Sequence, residues 1–246
     1  MAPAEDPPWT GWEVAALAVC TVAVIFFFLL AVSYLAHKFL YVRLPWVEVV
    51  KFPGLIVISQ LLAYVAIFVL MYMLVTRNQE QSFWKAIRWN FPANWPVYLF
   101  AGVVLSVSLQ LFAHLLPIPK KLPMDQFFQT TSEAYLLAIF GTTFAPLLEE
   151  LFFRGFLYPV LARRLGTGFG VFLTALGFAL IHGAQLTYSW GPVLVIFIVG
   201  LTLTLVRAAT KSVAAGLLMH IAYNGTISVI MFAATSGFRH LERLNQ

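Results

Sequence analysis

The stretch APLLEELFFRGFLYP, residues 145–159, sets Glu149, Glu150 and Arg154 in a run otherwise made of Ala, Leu, Phe, Gly, Tyr and Pro. Charges in such company are costly unless paired or hydrated, and by default they point to function. On a helix Arg154 falls one turn after Glu150, acid first, the favourable order for an intrahelical ion pair. Glu149 has Phe153 at that spacing and is the carboxylate left for another task. Further along, FALIH puts Phe178 one turn from His182, and HIAYN puts His220 one turn from Asn224, each pair on a common helix face. Acid–base chemistry on a bound water needs a base to take a proton and donors placed where negative charge develops. A free Glu, two His and an Asn supply both. The same side chains could instead form a structural ion-pair knot between helices.

These residues must be positioned by membrane helices. Of 246 residues, 61% are hydrophobic and only 10% charged, against about a quarter charged in soluble domains. Uncharged runs cover 14–36, 52–76, 89–119, 165–206 and 212–238, each long enough for a hydrocarbon core that takes about 20 residues of helix. HGAQLTYSWGP, residues 182–192, breaks the fourth run into two helices joined by a turn. With the Glu149 segment added, the expectation is an all-α, polytopic transmembrane bundle of seven membrane helices, or eight if Pro146 splits the stretch 132–162. The seven tryptophans (Trp9, Trp12, Trp46, Trp84, Trp89, Trp95, Trp190) fall at or between segment ends, where their rings are expected at headgroup level. The acidic, Pro-rich start MAPAEDPPWT lacks the basic region of a cleaved signal peptide, so the first helix is expected to remain as an anchor. Residues 77–95 are expected as an interfacial amphipathic helix or an ordinary loop with Trp anchors.

Alternate loops carry Arg77, Lys85, Arg88, Arg163, Arg164, Arg207 and Lys211 on one side and Lys38, Arg43, Lys51, Lys120, Lys121, Arg239 and Arg243 on the other. The positive-inside rule ties and gives no orientation. Basic residues dispersed in this way, with a net charge of +5, fit contact with anionic membrane lipids and not nucleic acid. The single cysteine, Cys20, excludes an intrachain disulfide and a Cys-based metal cluster, and is expected as a small packing residue.

The order EExxxR, FxxxH, HxxxN, in EELFFRG, FALIH and HIAYN, resembles the CAAX-protease and bacteriocin-processing (CPBP) intramembrane proteases, also called the Abi or type II CAAX prenyl endopeptidase family. The stretch FIVGLTLTLVRAATKSVAAGLLMHIAYN is similar to the family's link between its second and third motifs. The resemblance divides the chain into unassigned N-terminal helices and connectors (1–130), a CPBP-like catalytic helical core (131–235) and a polar tail (236–246). It implies an endopeptidase that hydrolyses membrane-associated peptide or lipidated protein substrates, CAAX-type tails among them, without a covalent enzyme intermediate. It further implies that Glu149 with His182 activates water, that His220 and Asn224 hold the oxyanion, and that Glu150, Arg154 and Phe178 support them.

Glu149, His182 and His220 are also zinc-compatible. There is no HExxH and no Cys ligand, and Asn is a poor zinc ligand, so a cofactor-free glutamate mechanism is expected over a zinc site. The chain lacks the Gly-x-Ser-Gly nucleophile of rhomboids and the paired membrane aspartates of presenilin-type proteases; Asp6 and Asp125 lie outside the expected spans. GTGFG, residues 166–170, follows no strand and reads as a helix-connecting turn. The rival readings are a non-catalytic scaffold or immunity protein with the same bundle, and a proton-coupled transporter in which Glu149, His182 and His220 relay protons. No inverted repeat supports the second. His37, His114 and His240, near segment ends, are expected to be interfacial.

Overall fold

The computed structural model describes residues 6–77, 82–117, 119, 128 and 130–242. Among them the regular elements are all helical: α1 (Gly11–Phe39), α2 (Trp46–Val49), α3 (Pro53–Thr76), α4 (Phe83–Ala86), α5 (Trp95–Ala113), α6 (Thr131–Thr142), α7 (Phe144–Glu149), a π-helix (Glu150–Leu157), α8 (Tyr158–His182), a 3-10 turn (Gly183–Leu186), α9 (Trp190–Thr210) and α10 (Val213–Ala234).

Six stretches are long and apolar enough to cross a membrane: Gly11–Phe39, Pro53–Thr76, Trp95–Ala113, Thr131–Leu186, Trp190–Thr210 and Val213–Ala234. The fourth spans 56 residues and doubles back at Gly166, whose φ of 83° and ψ of 163° leave the helix. A Cβ on Gly170 would stand 2.8 Å from the backbone nitrogen of Ala162. In one continuous helix residues eight apart are separated by about 12 Å, so α8 is two arms in contact across a turn at GTGFG. Counted by arms, the described residues make seven crossings, and the protein is an integral, multi-pass membrane protein. Pro146 makes no separate crossing. It lacks the N–H that would bind the carbonyl of Thr142, and the chain breaks at Thr143 (φ −116°, ψ −66°) between α6 and α7 before running on into the π-helix. The break expected within 182–192 is the 3-10 turn followed by Thr187 and Tyr188 with positive φ.

α1 packs along α3, α8 along α9 and α5 along α10, while α6 touches both α3 and α10. Two of the expectations for single residues are corrected. Trp9 does not offer its ring to lipid: it is 1% exposed, stacked on Phe156 at 4.4 Å, with its indole N–H donating to the Phe156 carbonyl at 3.0 Å. Cys20 is exposed and packs in no core. Of the connector 77–95, residues 78–81 lie outside the described residues. The rest is neither an interfacial helix nor a plain loop, because one turn of helix, α4, drives Phe83 and Ile87 into the core against Phe156 and Gly155.

Contacts between turns sort the loops onto two faces. Arg163 donates to the Asp6 carboxylate at 3.2 Å and to the carbonyls of Pro7 and Trp9; Arg77 pairs with Glu13; Asn90 bonds the Lys211 carbonyl at 3.0 Å. The N-terminal segment, the end of α3, the α4 connector, the turn of α8 and the α9–α10 turn therefore share one face. Thr131 and Phe238 meet at the other. Lys120, Lys121, Asp125 and Arg243, which enter the loop reading, lie outside the described residues.

Candidate active site

Glu150 and Arg154 begin the construction because both are fully buried. Their side chains pair at 2.9 Å, although the segment is a π-helix, with i→i+5 bonding of the kind found as local bulges at functional sites. The long Arg side chain spans either helix type, which is why the spacing alone identified the pair. Arg154 also donates to Thr204 Oγ1 at 3.2 Å and to the Gly200 carbonyl at 2.9 Å, and its guanidinium lies 4.6 Å from the Phe178 ring centroid. The arginine thus bolts the π-helix to α9 and to the second arm of α8. A Cβ on Gly216 of α10 would come within 2.8 Å of Glu150 Oε2, so only glycine admits the carboxylate between these helices.

Glu149 points elsewhere. Its carboxylate is 21% exposed and lies 3.8 Å from Nε2 of His182 and 3.7 Å from Nε2 of His220. Both separations exceed a direct hydrogen bond and are of the span that one water bridges. Each imidazole is oriented from behind. His182 Nδ1 is 2.7 Å from the Phe178 carbonyl, which can only accept, so this nitrogen carries the proton. His220 Nδ1 is 3.0 Å from Glu150 Oε1 and donates to that carboxylate. The Phe178 ring packs against both imidazoles, at 4.8 and 5.9 Å between centroids. Asn224, one turn beyond His220, gives one N–H to the Gly141 carbonyl of α6 at 2.7 Å and keeps its other polar atoms for the cavity.

That cavity, about 580 Å³, is lined by Glu149, Phe178, His182, His220 and Asn224 and by the 3-10 turn that follows α8, so it reaches toward the face opposite the N-terminal segment. The structure brings all four candidate catalytic residues to one wall system, with Glu150 and Arg154 sealed behind it. The other histidines lie outside its lining: His37 bonds the Leu44 carbonyl, His114 caps α5, and His240 pairs with Glu242. Sequence reading missed Thr204, Gly200, Gly216 and Gly141, which act through small side chains or backbone carbonyls and carry no signal of their own. It also missed Gln60 and Tyr64 of α3, which share the cavity.

Among the described residues no group of three or more His, Cys, Asp or Glu side chains is disposed to hold a metal ion. Zinc bonds of 2.0–2.2 Å give a tetrahedral edge of about 3.4 Å, and Glu149 stands further than that from both imidazole nitrogens. As arranged, these side chains do not fit zinc, and no step below passes through a metal.

No curated protein and no solved structure matches the chain. Residues 131–226 match the family described as type II CAAX prenyl endopeptidase Rce1-like. That stretch, which is less than half of the chain, holds Glu149, Glu150, Arg154, Phe178, His182, His220 and Asn224, and it is similar to that CAAX-type membrane protease family.

Proposed function

We propose that the protein is an intramembrane endopeptidase that hydrolyses peptide bonds of membrane-associated substrates, CAAX-type lipidated tails among them, with water activated by Glu149. The observation that carries this reading is the Glu149 carboxylate held between two imidazole nitrogens at 3.8 and 3.7 Å on the wall of a cavity. Glu149 takes a proton from water as the oxygen attacks the scissile carbonyl. His182, with Nδ1–H committed to the Phe178 carbonyl, presents a lone pair at Nε2 and shares that task.

His220 and Asn224 receive the negative charge. Because Nδ1 of His220 already donates to Glu150, Nε2 can donate only in the imidazolium form. His220 therefore serves the oxyanion as a cation whose counter-charge is Glu150. Asn224 adds the N–H not spent on Gly141. Donors of this kind contribute about 3 kcal/mol each in well-studied acyl-transfer sites. Collapse of the tetrahedral intermediate returns the proton to the leaving amine.

The test uses quenched fluorogenic peptides ending in a CAAX sequence, one farnesylated at Cys and one not, with purified protein in detergent. Wild type is expected to cleave, and Glu149→Gln to lose about 10²–10⁴-fold in rate with an unchanged melting temperature. Failure of the wild type on both peptides, or full activity of Glu149→Gln, overturns the reading.

A further inference from the structure

α3 is a membrane helix with few polar side chains, and two of them meet the cavity. Ser59 returns its hydroxyl to the Leu55 carbonyl at 2.6 Å and Thr76 to the Tyr72 carbonyl at 2.8 Å, each within the helix. Gln60 and Tyr64, one turn apart, line the cavity that holds Glu149, and among the described residues neither the Gln60 carboxamide nor the Tyr64 hydroxyl has a hydrogen-bond partner. Polar groups facing a membrane bundle's interior are costly to leave unpaired and point to a ligand. The Tyr64 ring stacks against Phe140 at 5.7 Å between centroids, with 25° between planes, a contact that restricts the swing of its side chain. α3 lies outside the residues that match the protease family.

We propose that Gln60 and Tyr64 form a ledge that hydrogen-bonds the main chain of the substrate beside Glu149, and that it sets how tightly a peptide is held. This rests on the peptide-hydrolase reading above. A peptide must be extended to present its scissile bond, and its N–H and C=O groups then have no partners of their own in a largely apolar cavity. Residues one turn apart on a helix are about 6 Å apart along its axis. An extended chain repeats its same-side groups about every 6.7 Å. A carboxamide offers both donors and an acceptor, and a phenol one donor and an acceptor, so the pair can meet alternating backbone groups without reading side chains.

The experiment measures KM and kcat on the farnesylated and the unlipidated CAAX peptides, and the affinity of both peptides for Glu149→Gln protein by fluorescence anisotropy. Gln60→Leu and Tyr64→Phe remove the polar groups while keeping approximate size and the Phe140 stack, and circular dichroism melts confirm folding. Each is expected to raise KM and Kd about fivefold, as loss of one hydrogen bond does, equally for both peptides and with a much smaller change in kcat. Ser59→Ala, whose hydroxyl is spent within the helix, should change neither. If Glu149-dependent cleavage is present and the α3 variants leave KM and Kd unchanged, the ledge is overturned and the hydrolase reading stands. If no peptide is cut but Glu149→Gln binds peptide with Gln60-dependent affinity, the ledge stands and hydrolysis falls. A loss confined to the farnesylated peptide assigns Gln60 and Tyr64 to the lipid and overturns main-chain recognition; absence of both cleavage and binding overturns both readings.

Discussion

Nδ1 of His220 lies 3.0 Å from Oε1 of Glu150, the same oxygen that takes Arg154 at 2.9 Å. One buried oxygen therefore serves a structural cation and an imidazole that faces Glu149. Spacing alone made Glu150 a brace for Arg154; the structure adds His220 to its duties.

Glu150→Gln is expected to act twice. Leaving Arg154 without its counter-charge costs about 3–5 kcal/mol of stability, read as a fall in melting temperature in detergent. His220 loses its carboxylate partner as well, so hydrolysis falls even at temperatures where the protein is folded. The double variant Glu150→Gln with Arg154→Met no longer strands the guanidinium and should recover part of the stability, but none of the rate. Recovery of both would return Glu150 to a purely structural role.

Gly216→Ala puts a methyl group within 2.8 Å of Glu150 Oε2, in a carboxylate whose other oxygen, Oε1, is held by Arg154 and His220. Overpacking of this kind costs about 1–3 kcal/mol, and the displaced carboxylate carries His220 with it. Melting temperature and kcat should therefore fall together, and a variant with wild-type values for both would contradict the close approach.

Trp9 should matter more than its place in the first ten residues suggests. Trp9→Phe keeps a ring against Phe156 and removes the donor to its carbonyl, an expected loss of about 0.5–1.5 kcal/mol for one hydrogen bond. Trp9→Ala adds a cavity and should cost about 3–5 kcal/mol. Chemical or thermal unfolding of the two variants measures the order; equal and negligible losses would show that the N-terminal segment does not hold the π-helix.

Treatment with a strong chelator, followed by dialysis, is expected to leave peptide hydrolysis intact. Activity lost on chelation and restored by zinc alone would move Glu149, His182 and His220 into ligand roles.

The sequence made the bundle legible because a membrane permits few alternatives: long uncharged runs have to be helices, and charges inside them have to be paired or used. Glu149, Glu150, Arg154, His182, His220 and Asn224 stood out as polar exceptions in oil, and GTGFG and 182–192 as breakers where the chain turns. What escaped reading was whatever depends on a neighbour distant in sequence. Trp9 looks like any interfacial tryptophan until Phe156 is seen beside it, 147 residues away. Gln60 and Tyr64 are two ordinary residues of an apolar run until α3 is set along the cavity. Hydropathy also says nothing of π versus α bonding, because both bury the same side chains.

The π-helix makes the count of residues between Glu149 and Tyr158 matter independently of their chemistry. An α-helix and a π-helix carry a chain forward with different angular steps, so the number of residues in the π segment sets how α7 and α8 face one another. Removing one residue from 151–153 would leave every motif side chain in the protein yet turn Arg154 by about 100° relative to Glu150, out of line with Thr204 and the Gly200 carbonyl. Apolar exchanges such as Leu151→Ile should then be tolerated where a deletion beside them silences hydrolysis. The segment is constrained as a length before it is constrained as a composition, and a scan of single-residue deletions and insertions across 151–157 reads that constraint directly.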